Sequence, residues 1–169
     1  MKKKVFILLL ISLFTITACG KKEEEKEEKK ETNTIEKSYK RILDTFIESY
    51  TKPDESLVSD IFPPFYLKYA EGMFTQEKLE EILVKEKEIY GEDFTITYEL
   101  GENTKLTDEE LEKVNKEMAT KFNSKDNATE CYRNNGKITY KGSKEEDTDP
   151  LTSYLYCKYD KWYIVRYYN

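Results

Sequence analysis

LTSYLYCKYDKWYIVRYY, which runs from Leu151 to Tyr168, is the most informative part of this 169-residue sequence. Apolar and aromatic residues fill two runs, Leu151–Tyr159 and Trp162–Tyr168, and the polar pair Asp160-Lys161 separates them. Short runs rich in aromatic and β-branched residues around a polar turn are typical of strands. The stretch therefore predicts two strands joined at Asp160-Lys161, the second of which ends the chain inside a sheet.

Alternation along the last strand divides its side chains between two faces. Tyr163, Val165 and Tyr167 share one face, and Arg166 lies on the other. One face must pack on helices. The other either covers a two-sided sheet or presents aromatic rings to sugars or peptides. Tyr163, Tyr167 and Arg166 are therefore candidate ligand-facing residues; Arg166 would bind an anionic group if its strand faces a pocket, and otherwise lies on the surface.

Helical periodicity comes before the strands. Apolar residues recur at spacings of three and four over Thr34–Tyr50, and a shorter segment follows from Leu57 to Phe62. Pro63-Pro64 must end it, because proline lacks the amide donor. A further helix is expected between a Thr75 cap and a Gly91 stop. One face of that helix combines four apolar residues with one acidic residue: Leu79, Ile82, Leu83, Glu86 and Ile89.

The middle of the chain changes period. Phe94 to Leu100 alternates apolar and polar residues, which predicts a half-buried strand. Leu106-Thr107-Asp108-Glu109-Glu110-Leu111 contains a capping box with flanking hydrophobic residues, which predicts a helix that continues to about Phe122. Thr129–Arg133 and Lys137–Lys141 then predict strands, with Asn135-Gly136 as a two-residue hairpin turn.

A charged segment, Gly142 to Pro150, separates these strands from the terminal pair. It holds Glu145-Glu146-Asp147-Thr148-Asp149, but it lacks the ordered twelve-residue pattern of a calcium loop. We expect a solvated loop and no metal site. Helices first and antiparallel strands last predict the α+β class, with the helices packed on one sheet and residues 35–169 forming a single domain.

Cys131 and Cys157 lie on two predicted strands. Outside the cytoplasm, two cysteines in a small domain can pair if their strands are neighbours and in register. The alternative is a pair of separate free or buried thiols.

The composition excludes several classes of function. The sequence contains no histidine, which removes Ser-His-Asp and Cys-His catalysis and histidine-containing zinc sites. We therefore expect no catalytic residues and no cofactor. The net charge of −6 falls to −9 without the three lysines near the N-terminus, and an acidic chain is a poor partner for nucleic acid.

The N-terminus has the layout of an export signal. Lys2 to Lys4 precede an apolar run that ends near Ile16, which is shorter than the roughly 20 residues of a spanning helix. Ile16-Thr17-Ala18-Cys19 resembles the lipobox of bacterial lipoproteins. That resemblance implies cleavage after Ala18 and a diacylglyceryl group on Cys19, so that residues 1–18 are a signal peptide. The alternatives are an ordinary cleaved signal and an uncleaved anchor.

Residues 19–34 then read as a lipidated cysteine and a tether. The run from Lys21 to Glu31 has no apolar residue to bury, so we expect it to be disordered. The lipid would hold the protein on the extracytoplasmic face of the cell membrane. Gly20 does not resemble the Asp-type retention signal, so a host with two membranes would allow the outer membrane. The composition favours a one-membrane host.

The order of elements resembles small Gram-positive lipoproteins with a nuclear-transport-factor-2-like, or cystatin-like, domain. The resemblance is carried by the leading helices, the Pro63-Pro64 break, the inserted Leu106–Leu111 helix start and the closing Asp160–Ile164 hairpin. It implies a curved antiparallel sheet wrapped around helices as a cone with an apolar pocket. Because this fold hosts enzymes, binding proteins and assembly domains alike, it implies no single function.

The expected function is a membrane-anchored, non-catalytic binding or protein-interaction domain, with an envelope protein or a glycan as its partner. The alternatives are a receptor for a small apolar or amphipathic ligand and a degenerate hydrolase or isomerase of the same fold.

Overall fold

The computed structural model describes residues 34–166, and in this range helices precede antiparallel sheets. The predicted α+β class is confirmed. The chain divides into two compact units, Met1–Lys37 and Ser38–Asn169, and only residues 34–37 of the first unit are described, as part of a helix. The predicted signal peptide with Ala18 and Cys19, the tether up to residue 33, and Tyr167 lie outside the described residues.

The helices begin and end at the signals in the sequence. Thr75 caps one helix by accepting a hydrogen bond from the Lys78 N–H, and Gly91 ends it with a φ of +115°. At the next helix, the Thr107 hydroxyl accepts from the Glu110 N–H and the Glu110 carboxylate accepts from the Thr107 N–H, so the predicted capping box is confirmed. The helices of the described range are α1 (residues 34–51), α2 (Val58–Ile61, after a 3₁₀ turn at Glu55–Leu57), α3 (Pro64–Tyr69), α4 (Gln76–Tyr90) and α5 (Asp108–Phe122).

Within residues 34–166, seven strands form two antiparallel sheets, where the sequence had predicted one. The three-stranded sheet has the order β1-β4-β5 and the four-stranded sheet has the order β2-β3-β6-β7. The strands are β1 (Thr95–Glu99), β2 (Asn103–Lys105), β3 (Glu130–Asn134), β4 (Lys137–Lys141), β5 (Glu146–Pro150), β6 (Tyr154–Lys158) and β7 (Trp162–Arg166). The terminal β6–β7 hairpin is confirmed.

The same chain segments run through both sheets. Glu99 of β1 lies opposite Lys137 of β4, and Asn103 of β2 lies opposite Asn134 of β3. Between these pairs, residues 100–102 face only residues 135–136, so one extra residue is accommodated at the break, as in a β-bulge. Hydrogen bonds continue across the break, from the Asn135 N–H to the Glu102 carbonyl at 3.1 Å.

The predicted Asn135-Gly136 hairpin is wrong. β3 and β4 do not pair with each other: β3 pairs with β2 and β6, whereas β4 pairs with β1 and β5. The side chain of Asn134 explains the outcome. It is 1% exposed, accepts from the Gly101 and Gly136 N–H groups, and donates to the Gly101 carbonyl and the Asn103 side chain. These bonds hold the chain extended through the break instead of letting it turn back.

Glycine at position 136 is required by a close approach of two segments. A Cβ there would overlap the Glu99 carbonyl oxygen and crowd the Gly101 N–H. The sequence signal Asn-Gly therefore reflects a crossing between sheets, where no side chain fits, and not a tight turn.

The four-stranded sheet is covered on both faces. α5 packs on one face, where Val114 and Met118 join Leu155 and Val165 in one apolar cluster. On the other face, the Tyr39 ring of α1 lies 5.2 Å from the Tyr156 ring. The hydroxyl of Tyr39 also donates to the Tyr154 carbonyl at 3.2 Å. This half of the domain is a closed core.

Candidate functional site

The three-stranded sheet borders an open cleft of about 450 Å³. α1 and α4 contribute one wall, and the sheet with the ends of β6 and β7 contributes the other. We call it the tyrosine cleft and define it by its lining residues: Phe46, Tyr50, Glu86, Tyr90, Phe94, Ile96, Tyr140, Asp147, Thr148, Asp149, Tyr154 and Arg166.

Aromatic rings form a layered wall of the cleft. The Tyr90 ring stacks on Phe94 with centroids 5.3 Å apart, and Tyr140 lies nearly parallel to it at 6.3 Å. Stacked aromatic groups hold one another in place and present a rigid surface at little entropic cost. The wall is therefore organised before any ligand arrives.

Backbone contacts hold Tyr90 at the end of α4 against the β4–β5 turn. Its carbonyl accepts from the Lys144 N–H at 2.8 Å, and the Ser143 N–H donates to the Asp93 carboxylate at 2.8 Å. A Cβ at Gly142 would overlap the Tyr90 carbonyl oxygen, so only glycine allows this approach. The turn glycine and the helix-stop glycine together place the ring.

Three tyrosines of the cleft, Tyr50, Tyr90 and Tyr140, are neutral hydrogen-bonding groups near pH 7. Burial, followed by a 2.9 Å hydrogen bond from its hydroxyl to the Asp147 carboxylate, raises the pKa of Tyr90 to about 12. Burial raises the pKa of Tyr50 to about 12 as well. Burial and the neighbouring Tyr154, to which it is hydrogen-bonded, raise the pKa of Tyr140 above its usual range. None of these three phenols is activated as a base or a nucleophile.

Of the residues that the structure describes, three carboxylates and one cation line the cleft. Asp147 and Asp149 come from β5 and Glu86 from α4, whereas the guanidinium of Arg166 lies over the Tyr154 ring with its Cζ 5.5 Å from the centroid. Burial raises the pKa of the Glu86 carboxyl. Among residues 34–166, no group of three or more cysteine, aspartate and glutamate side chains is arranged so that it could hold a metal ion.

The charged segment that the sequence predicted as a solvated loop is partly a strand. Glu146–Pro150 forms the edge strand β5, whose residues are all exposed, and it pairs with β4 in register from Lys141–Glu146 to Lys137–Pro150. The segment keeps its solvent contact because it lies at the edge of the sheet. Its pairing brings Asp147 and Asp149 to the cleft.

The two candidate cysteines form a disulfide in the structure. Cys131 of β3 and Cys157 of β6 are directly opposite in register, with Cα atoms 4.1 Å apart, and both are at most 1% exposed. The bond lies in the closed core of the four-stranded sheet, away from the tyrosine cleft.

The candidate ligand-facing residues do not come together. Tyr163 is 2% exposed, and its ring lies 6.2 Å from that of Tyr159 in the core. Arg166 is exposed at the rim of the tyrosine cleft. Ile164 and Val165 are buried as well, so both faces of this hairpin are covered at its centre.

The sequence contains one signal for the cleft, and it lies on the apolar face of α4. Glu86 interrupts the apolar face of α4, and an acidic residue on such a face is a candidate functional group when it borders a pocket. The tyrosines carried no such signal, because tyrosine also covers ordinary sheets.

No helix between residues 34 and 166 is long and apolar enough to cross a membrane. Comparison of the chain with protein-family models, with curated proteins and with solved structures finds no match.

Proposed function

We propose that this chain is an extracytoplasmic lipoprotein whose folded domain binds a small ligand in the tyrosine cleft without transforming it. The Ile16-Thr17-Ala18-Cys19 pattern behind a lysine-led apolar run supports the anchor. Lipid on Cys19 would hold the domain on the outer face of the cell membrane, because two or more acyl chains anchor a protein stably. The charged residues up to 33 would act as the spacer.

The continuity of the strands supports the nuclear-transport-factor-2-like fold as the finer description. Three bent segments run through both sheets: β1 with β2, β3 with β4, and β5 with β6. β7 is the fourth strand of the four-stranded sheet. The extra residue at the β1–β2 bend and the Gly136 crossing at the β3–β4 bend are devices that curve a sheet, and a 3₁₀ turn, Leu151–Ser153, makes the bend between β5 and β6. Such a sheet, preceded by helices, is the architecture that the resemblance implies.

The observation that carries the binding function is the combination of groups in one cleft of about 450 Å³. Small-ligand sites are concave, rich in aromatic side chains, and equipped with a few polar groups that fix orientation. The cleft has a stacked ring wall, tyrosine hydroxyls and three carboxylates. This lining suits an amphipathic ligand with polar substituents better than a purely apolar one. A free small molecule or a group on an envelope glycan or protein would both supply such a ligand.

Glu86 favours a second candidate, a hydrolase or isomerase with one acid–base residue. A carboxyl group whose pKa is raised by burial can transfer protons near neutral pH. The sequence has no histidine to serve as its partner, and the phenols of Tyr50, Tyr90 and Tyr140 are not activated. We therefore place this candidate second; turnover of a bound ligand that Glu86→Gln abolishes would favour it.

The anchor is tested on the native protein from a membrane fraction. Its mass should correspond to a chain that starts at Cys19 and carries lipid, and Cys19→Ser should release the protein from the membrane. A native protein that begins at Met1 and carries no lipid would contradict the anchor.

The cleft is tested with two matched substitutions in the full chain, kept in detergent. Glu86→Trp places a large ring in the cleft, whereas Glu88→Trp makes the same change on the exposed side of α4, outside the lining. Thermal shift against sugars, organic ammonium ions and short carboxylates should identify at least one class that stabilises the wild type and Glu88→Trp but not Glu86→Trp. An equal response of all three proteins, or no response in any class, would exclude the cleft as the binding site.

A further inference from the structure

The charge of the tyrosine cleft disfavours an anionic ligand. Among residues 34–166, the lining of the cleft has three carboxylates, Glu86, Asp147 and Asp149, and one cation, Arg166, whose guanidinium already lies against the Tyr154 ring. A ligand with a negative charge would enter a site whose charged groups are mostly negative, and like charges repel.

The carboxylate of Glu86 lacks an ionic partner among the residues that the structure describes. α4 carries it into the cleft, where Tyr50 and Tyr90 are its titratable neighbours. Burial raises its pKa, which means that holding the charge there costs free energy. A cation inside the cleft would offset that cost.

The aromatic lining is suited to the same kind of charge. The face of an aromatic ring carries negative electrostatic potential, and a cation within about 6 Å of the centroid is attracted to it. Arg166 over Tyr154 at 5.5 Å shows this contact at the rim of the cleft. The stacked rings of Tyr90, Phe94 and Tyr140 extend the same type of surface along the wall.

The size and spread of the site point to an organic cation instead of a metal ion. The described cysteines and carboxylates include no cluster that could hold a metal. A volume of about 450 Å³ exceeds what an ion needs and suits a molecule of several heavy atoms.

We infer that the tyrosine cleft binds a small organic cation with a substituted ammonium group, held against the tyrosine rings and balanced by Glu86, Asp147 and Asp149. The inference rests on the proposed binding function and specifies its ligand class. Free osmolyte-like ammonium compounds and ammonium groups on larger envelope molecules share this chemistry.

The decisive probe pair is choline and 3,3-dimethylbutan-1-ol, which share one shape and differ in charge. Calorimetric titration of the full chain in detergent should show choline binding at least tenfold more tightly than the neutral alcohol. N-acetylglucosamine serves as a third probe for a neutral sugar site. Choline attached to a soluble polymer would distinguish a free ammonium compound from an ammonium group on a larger envelope molecule. It should bind only if the cleft is open enough to admit a group that is attached to a larger molecule.

Substitutions of single charged residues test which sign of ligand charge the cleft favours. Glu86→Gln should weaken choline binding about tenfold, while Glu88→Gln makes the same change two residues away on the exposed side of α4 and should change it less than twofold. Arg166→Gln removes a cation from the lining and should tighten binding by roughly two- to fivefold, as expected for a like charge at the rim in high dielectric.

The outcomes separate the inference from the function on which it rests. Equal affinity for choline and the alcohol, or binding of the sugar but not of choline, would contradict a cationic ligand and leave the proposed binding function intact. Equal losses in Glu86→Gln and Glu88→Gln would reduce the effect to overall charge and overturn the site. If none of the three probes binds and no class stabilises the wild type in the thermal-shift panel, both proposals fail.

Discussion

The two sheets are made from the same bent strands, yet they bury them in different ways. In the four-stranded sheet, helices cover both faces, a disulfide joins two strands, and Leu155 and Val165 are 0% exposed. In the three-stranded sheet, β5 is exposed along its whole length and the inner face borders an open cleft. One half is a closed core, and the other keeps charged and hydroxyl groups in contact with solvent.

This division shows how a small domain can carry an unfavourable site. Carboxylates and phenols beside an apolar wall cost stability, because burial penalises charged and unpaired polar groups. The closed half supplies apolar burial and a covalent link to offset that cost. The continuous strands transmit the support, since Asn134 and Gly136 hold the crossing between the halves.

Truncation of Leu155 should produce the largest loss. Leu155→Ala removes a side chain that is 0% exposed in the four-stranded sheet, and such changes cost about 2–5 kcal/mol. Ile96→Ala, at the cleft, should cost less, since water can enter the space that it leaves. Urea unfolding measures both. A larger loss for Ile96→Ala would reverse the assignment of the closed half.

Loss of the disulfide should come next. The bond joins residues 26 apart, and opening a loop of that length is expected to lower the free energy of unfolding by about 3 kcal/mol. Urea unfolding of the wild type with and without reductant gives the value, and Cys131→Ala/Cys157→Ala serves as a second estimate. Hydrogen exchange should accelerate most in β3 and β6. Unfolding that is the same with and without reductant would show that the bond adds no stability.

Much of the fold could be predicted because its signals are local. The Thr107–Glu110 capping box and the Gly91 stop depend on residues that are close in sequence, and both are observed. The Asn135-Gly136 prediction was wrong because the preference for a hairpin turn yielded to contacts with Gly101 and Asn103, more than 30 residues earlier. Propensity describes the pair in isolation, whereas the crossing depends on a distant segment.

The site was harder to predict than the fold. Tyr50, Tyr90 and Tyr140 come from two helices and a strand, and only their packing gathers them around one cleft. Asp147 and Asp149 belonged to a segment whose composition indicated a solvated loop, and edge pairing with β4 was not visible in it. Tyr163 was a candidate ligand-facing residue but is buried in the core. Alternation along a strand does not reveal that helices cover both faces of a sheet.

The crossing itself should show an intermediate loss. Asn134→Ala removes a side chain that is 1% exposed together with its hydrogen bonds to the Gly101 N–H and carbonyl, at a cost of about 1–3 kcal/mol. The neighbouring Asn135 is exposed and makes only a backbone bond there, so Asn135→Ala is the matched control and should stay within about 0.5 kcal/mol. Chemical denaturation measures both variants. If the two lose the same amount, the Asn134 side chain does not hold the halves together.

The smallest effect should be a pH-dependent gain in stability when the Glu86 charge is removed from the cleft. Because burial raises the folded-state pKa of Glu86 above its ordinary 4.5, the folded chain holds the proton more tightly than the unfolded chain does. The stability that this proton gives is present below pH 4.5 and is lost as pH rises through the folded-state pKa. Glu86→Gln avoids that loss, so its stability relative to the wild type should rise between pH 4 and pH 7.5, by about 0.5 kcal/mol or less.

Thermal unfolding across this range, with Glu88→Gln on the exposed side of α4 as the control, tests the sign of the change. A difference that is flat with pH, or that falls as pH rises, would mean that the cleft does not destabilise the Glu86 carboxylate. Added choline should reverse the order of Glu86→Gln and the wild type at pH 7.5, because a bound cation favours the protein that keeps the charge. The pH dependence of stability and the response to choline would then both report on the Glu86 carboxylate.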